Sequence, residues 1–150
     1  MPRKKPKPTP PPAVNVPPTC SCLLLCDDVV ISHAHDKHML QGVIGAIAVP
    51  ALPSKLGGFV VYMRLSNVHA QQNVIVKFEH AASGDVLWEL AAIVIQQDPL
   101  QQVNTLVTRV PAFDISKDGR YMVTAYHGSE ILAQIPVIVH NQGAQKEDEP

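Results

Sequence analysis

The strongest constraint in this chain is the two-residue rhythm of its apolar side chains. In Phe59-Val60-Val61-Tyr62-Met63-Arg64-Leu65, the residues Phe59, Val61, Met63 and Leu65 fall on one side, with Tyr62 and Arg64 on the other. Successive side chains of an extended backbone point to opposite faces, so this run reads as a half-buried strand. Asn73 to Glu79 repeats the pattern, setting Val74, Val76 and Phe78 against Asn73, Lys77 and Glu79. Ser83-Gly84-Asp85 then supplies a turn, and Val86 to Ile95 puts Val86, Trp88, Leu90 and Val94 together. The Leu, Glu and Ala of that run also suit a helix. The close spacing of the neighbouring turns favours a strand.

The same punctuation continues to residue 140. Pro99 pushes Asp98 out of helical geometry, and Val103 to Val110 alternates after it. Lys117-Asp118-Gly119 is a turn before a strand from Tyr121 to His127, and His127-Gly128-Ser129 turns into Ile131 to His140. Pro136 has no amide hydrogen to give a ladder and belongs on an edge or at a bulge. Leu23 to Ile31 and Gly42 to Val49 complete the set, although Met39 to Ala48 also reads as a short helix or an irregular crossover. The expectation is an all-β protein, an antiparallel immunoglobulin-like β-sandwich of about 7–8 strands. With 150 residues, 46% of them apolar, there is material for one such core.

The ends have a different composition. Eight of the 14 prolines and four of the 12 basic residues (Arg3, Lys4, Lys5, Lys7) precede residue 19. A segment with so little to bury is expected to be disordered or partly polyproline II. The domain reading is a disordered basic Pro-rich tail at 1–18, a sandwich at 19–142 and an acidic flexible C-terminus at 143–150. The net charge of −1 gives no global case for a nucleic-acid binder, so the tail is expected to make only weak contacts with anions. No apolar run approaches the ~20 residues of a membrane-spanning helix. The basic start followed by Cys20 to Cys26 imitates a secretion signal. Six prolines between Lys7 and Cys20, and the bulk of Leu25, argue against one. Three cysteines without a framework spacing fit a reducing compartment, and a cytoplasmic location is expected.

Among chemical candidates the histidines stand out. Ser32-His33-Ala34-His35-Asp36-Lys37-His38 holds three imidazoles and a carboxylate. On a strand, His33 and His35 would project to the same side about 7 Å apart, close enough to converge on one zinc ion. His38 has the opposite parity and joins them only if the chain turns near Asp36. The string is similar to the His-x-His-x-Asp-His motif of metallo-β-lactamase-like hydrolases, but its acid comes one position early and the chain is too short for that fold. His33, His35 and His38 are therefore the candidate metal ligands, with zinc the candidate ion and solvated imidazoles the plainer reading. If residues 20–26 are extended, Cys20, Cys22 and Cys26 share a face, with the outer two roughly 20 Å apart and unable to grip one ion. Asp27 and Asp28 are adjacent and would face opposite ways, which excludes a glycosidase pair. Asp114 and Asp118 suit turn formation. Lys55-Leu56-Gly57-Gly58 reads as a turn, and no nucleotide-binding glycine pattern or nucleophile elbow is present.

Asp118-Gly119-Arg120-Tyr121-Met122-Val123 resembles the tyrosine corner of immunoglobulin-like domains, in which a phenol bonds back to the preceding crossover. Val123 stands where the antibody-type cysteine would be, so the resemblance implies no inter-sheet disulfide. Trp88 would be ordinary core packing. Cys26-Asp27-Asp28-Val29, Gly42 and Gly45, Tyr62-Met63-Arg64-Leu65, Asp98-Pro99-Leu100, Gly119-Arg120-Tyr121 and Ile131-Leu132-Ala133 together resemble a family of small bacterial proteins known only as a domain of unknown function. The resemblance covers about residues 23 to 140 and implies a bacterial β-sandwich with no activity to transfer. The functional expectation is a non-enzymatic binding or assembly module acting through sandwich loops or edge strands, on a protein partner or on copies of itself, without a cofactor. The alternative is a metal-binding protein using His33, His35 and His38.

Overall fold

The computed structural model describes residues 2–6, 16–32, 34–96 and 103–145. The strands follow in the order β1 (Thr19–Ser32), β2 (Lys37–Val43), β3 (Ala46–Val49), β4 (Ser54–Leu56), β5 (Val60–Ser66), β6 (Gln71–His80), β7 (Val86–Ile95), β8 (Val103–Arg109), β9 (Phe113–Ile115), β10 (Gly119–His127) and β11 (Glu130–Asn141). A single helical turn, α1 (Gln142–Gln145), follows. One sheet has the order β2-β1-β5-β8 and the other β3-β11-β10-β6-β7, with β4 and β9 forming a two-stranded ribbon. The result is the all-β, immunoglobulin-like sandwich. Its two main sheets hold nine strands, and the β3–β11 pair runs parallel while all the others are antiparallel. None of the described helices is long and apolar enough to cross a membrane.

The core is where the alternation put it. Leu23 and Leu25 of β1 and Val61, Met63 and Leu65 of β5 face Val74, Val76 and Phe78 of β6, Tyr121, Val123 and Ala125 of β10, and Val137 and Val139 of β11. Each such aliphatic side chain contributes about 1.5–3 kcal/mol relative to an exposed one. The aromatic rings gather at one point, with Phe78 stacked on Tyr121 at 5.1 Å and tilted against Phe113 at 5.2 Å. The tyrosine corner is present: Tyr121 Oη donates to the carbonyl of Lys117.

Three ladders carry a bulge, at Cys20/Cys22, Phe78/Glu79 and Ala125/Tyr126, and a bulge changes the faces that simple alternation assigns. Between Phe78 and Glu79 the β6–β7 register shifts, so Trp88 pairs with Phe78 while Val86 pairs with Glu79. Trp88 therefore packs on the core with Leu87, whereas Val86 is exposed and not on the face of Trp88, Leu90 and Val94. The bulge adds one residue on β7, and everything before it changes side. Met39 to Ala48 is neither a helix nor one strand. It is the end of β2 and the first three residues of β3, separated at Ile44 and Gly45, with Gly42 at φ +63°. Pro136 lies on β11 opposite Met122, before the Ile138–Asn141 stretch where β3 pairs, so its missing donor faces an open edge.

The structure describes only residues 2–6 and 16–18 of the expected tail, and both stretches lack regular secondary structure. Val16 is held where its carbonyl accepts a bond from Gln72 Nε2 at 2.6 Å. The remainder of the tail, the Asp98-Pro99 turn and the acidic residues 146–150 lie outside the described residues.

Candidate functional site: an edge-strand groove

The histidine segment forms the tip of the β1–β2 hairpin. β1 ends at Ser32 and pairs there with Lys37, leaving a four-residue loop. Its turn at Ala34–Asp36 takes Asp36 to φ +46°. His33 lies outside the described residues, so its place beside His35 is not part of the structure. His35 is exposed within the turn. His38 comes inward on β2. Its Nδ1 shares a hydrogen bond with Tyr62 Oη, and its Nε2 lies 3.4 Å from Asp36 Oδ1. The hairpin thus returns over the outer face of β5, where Val29 and Leu40 also pack against Cys26, Val60 and Tyr62. Burial pushes the Tyr62 phenol above its ordinary pKa. Among the described residues, no group of three or more His, Cys, Asp or Glu side chains is placed to hold a metal ion.

The three thiols do not share a face. Cys20 pairs with Leu65 and Cys22 with Arg64, so Ser21 is an extra residue bulged out of β1. Cys20 is thereby turned to the inter-sheet core, while Cys22 and Cys26 lie in the outer cluster with Tyr62. Two-residue spacing places side chains together only where the ladder is regular, and here it is not. All three cysteines are unpaired.

Asp27 and Asp28 part company, as neighbours on a strand do. Asp28 Oδ1 meets Arg109 at 3.3 Å, and Arg109 also donates to the carbonyl of Gly58 at 2.6 Å. Asp27 instead turns toward Gly42, where a Cβ would come within 2.1 Å of its Oδ2. Asp114 pairs with Lys55 at 2.9 Å, both of them exposed.

Beside Asp27 opens a cavity of about 760 Å³. Its walls are the two arms of one loop. Gly42 to Pro50 forms one arm, including all of β3, and Ser54 to Phe59 forms the other. Gly42, Gly45, Gly57 and Gly58 line it, and at these positions the wall is bare backbone. Arg109 and the Lys55–Asp114 pair brace the second arm. The first arm is a sheet edge with no strand paired to its outer side among the described residues. Ile138 N–H donates to Gly45 C=O at 3.1 Å, and Ile138 sits opposite Ala46. In a parallel ladder this geometry turns Gly45 and Ile47 toward β11 and leaves the N–H and C=O of Ala46 and Ala48 pointing away from it. Both alanines are exposed. Such an arrangement can add an extended peptide by main-chain hydrogen bonding.

Reading the residues alone missed this groove, because what it presents are main-chain amides rather than side chains with chemistry of their own. The signal available was the spacing of glycines at 42, 45, 57 and 58, which marks places where backbone is uncovered.

Comparison with curated proteins gives no match. Among solved structures, an immunoglobulin-like protein from Pseudomonas aeruginosa is similar at 9% identity, over 85% of this chain and 99% of that one, with a TM-score of 0.42. The sequence profile of a family of unknown function matches residues 21–140, from the Cys20–Cys22 bulge to the last strand. The chain therefore belongs to that family, DUF6941.

Proposed function

We propose that this protein is a non-enzymatic binding module of the cytoplasm, which takes up an extended segment of a partner protein in the groove beside β3. The observation that carries this reading is the pair of outward-facing main chains at Ala46 and Ala48, opposite a wall rich in glycine. An unpaired edge offers donors and acceptors at fixed spacing, and small residues let a second backbone come close. The groove's ionisable side chains are Asp27 and Lys55, and Lys55 is already paired with Asp114. Recognition would rest on main-chain shape, with Asp27 favouring a cation at one end of the bound segment. Three free thiols support a reducing compartment.

The metal-binding alternative requires the Nε2 of His38, now 3.4 Å from Asp36, to converge on one ion with His33 and His35, while its Nδ1 keeps Tyr62 as partner. Saturating zinc would then raise the melting temperature. The groove reading expects no such rise.

The groove is tested by panning a displayed peptide library on the full chain and on Ala48→Pro. Proline at this open edge removes the outward N–H without touching the bonds to β11. Peptides selected on the full chain should lose at least about tenfold in affinity for the variant, the scale of one main-chain hydrogen bond and its steric block. Equal binding to both proteins would refute the groove as the site.

A further inference from the structure

A second edge without a paired strand among the described residues, at the other end of the sheet from β3, belongs to β7. Of the four edge strands of the two main sheets, β7 is the longest, with ten residues against seven in β2 and β8 and four in β3. Natural edges are usually protected by charges, proline, bulges or shortness. From Trp88 to Ile95 this one has a single charge, Glu89, and no proline, and its bulge lies before that stretch. Ile93 and Ile95 are 63% and 60% exposed. The edge of the other sheet adds exposed Val103 and Val107, and a cleft of about 140 Å³ between the two edges is lined by Leu65, Val94 and Leu106.

The main chain shows which residues are free to pair. Gln96 N–H donates to Ala70 C=O at 2.7 Å, continuing the register in which Ile95 faces Gln71. Hydrogen-bonded and non-hydrogen-bonded pairs alternate along an antiparallel ladder. Leu90, Ala92 and Val94 therefore turn their amides toward β6. Glu89, Ala91, Ile93 and Ile95 present theirs to the open side.

We infer that β7 pairs with β7 of a second copy of this chain, antiparallel about a two-fold axis through Ala92, and joins the two five-stranded sheets into one of ten. An axis perpendicular to the sheet keeps outer faces on the same side, so pairs must have equal parity. With Ala92 opposite itself, Ala91 meets Ile93 and Glu89 meets Ile95, each pair occurring twice. All four outward-facing residues are then used, giving about eight inter-chain bonds. The charge pattern supports this occupant: the one acid of the stretch falls opposite an isoleucine and never opposite its own copy. On the outer face Ala91 meets Ile93, small against large, and an alanine lies on the axis. Because β7 and the β3 groove are separate edges, this inference stands or falls independently of the binding reading.

Sedimentation equilibrium of the full chain over a concentration series is the first test, and it should show a monomer–dimer equilibrium. Ala91→Pro removes an outward donor twice over by symmetry and should weaken dimerisation on the order of a hundredfold. Ile93→Lys, at an exposed position, should do the same if the proline variant fails to fold. Single cysteines at positions 90 to 93 then read the register under mild oxidation, with the unmodified chain as the baseline for its native thiols. Crosslinking should peak at Ala92→Cys, since a non-hydrogen-bonded antiparallel pair brings Cα atoms to about 4.5 Å, within disulfide range. A monomer at every concentration, a dimer indifferent to both edge variants, or a crosslink maximum at another position would overturn the proposal.

Discussion

The phenol of Tyr121 donates its hydrogen bond to the main-chain carbonyl of Lys117, four residues upstream, and so ties the start of β10 to the segment that leads into it. Tyr121 is 1% exposed and lies edge-on to His80 and stacked on Phe78. Tyr121→Phe keeps the ring and loses only the bond. Its expected cost is about 1–2 kcal/mol, read as a lower urea midpoint with an unchanged slope. An unshifted midpoint would mean that the corner holds nothing.

Alkaline pH should destabilise the protein through its buried phenols and thiols. Burial raises the pKa of Tyr62, and burial together with the nearby acids Asp118 and Asp85 raises that of Tyr121. Tyr126 is raised by burial and by its bond to Glu79, while Cys20 and Cys26 are raised chiefly by burial. A raised native pKa means that the folded state holds its proton more tightly than the unfolded one. The contribution is complete below the ordinary values, near 9 for thiols and 10 for phenols, and disappears as pH rises through the raised values. Urea midpoints taken from pH 8 upward should fall, and the fall should be shallower in Tyr62→Phe. A parallel decline in that variant would contradict the assignment to Tyr62.

The glycines of the groove should differ sharply from one another. Gly57 has φ +144°, and a Cβ there would lie 2.6 Å from the Cα of Ala112 and 2.8 Å from the carbonyl oxygen of Pro111. Both obstacles are backbone, so Gly57→Ala should cost more than about 2 kcal/mol. Gly45 has no heavy atom within 4 Å of that position and no left-handed backbone angle. Gly45→Ala should therefore be neutral or stabilise by up to about 1 kcal/mol, by restricting the unfolded chain. Thermal melts of the two variants decide the matter, and equal shifts would refute it.

The parts of the molecule that could be read from residues alone are those where one ladder runs unbroken. Phe59 to Leu65, Asn73 to Glu79 and Tyr121 to His127 alternate cleanly and lie in central strands, so their buried sides follow directly. The bulges at Ser21 and Leu87 carry no compositional mark, since a serine and a leucine are ordinary strand residues. Each reverses side-chain parity on one side of it, which is why Val86 and Cys20 lie on faces that counting by twos does not assign. Val60 and Tyr62 were legible as the outer side of β5, but not as buried. What covers them is the returning β1–β2 hairpin, a tertiary contact made by Val29, His38 and Leu40. The candidate site was hidden for a different reason: a free amide at Ala46 or Ala48 looks the same in a sequence as one that is paired.

The anchoring of Val16 against Gln72 has a mechanical corollary. The chain enters β1 beside the start of β6, and it leaves β11 beside Pro50, at the opposite pole of the sandwich. The two strands run the same way in different sheets, so a pull applied through residues 16 and 145 would drag them lengthwise past their neighbours. Whole rows of ladder bonds must then rupture together instead of unzipping singly. A tether joined at these two points meets the resistance of a shear joint.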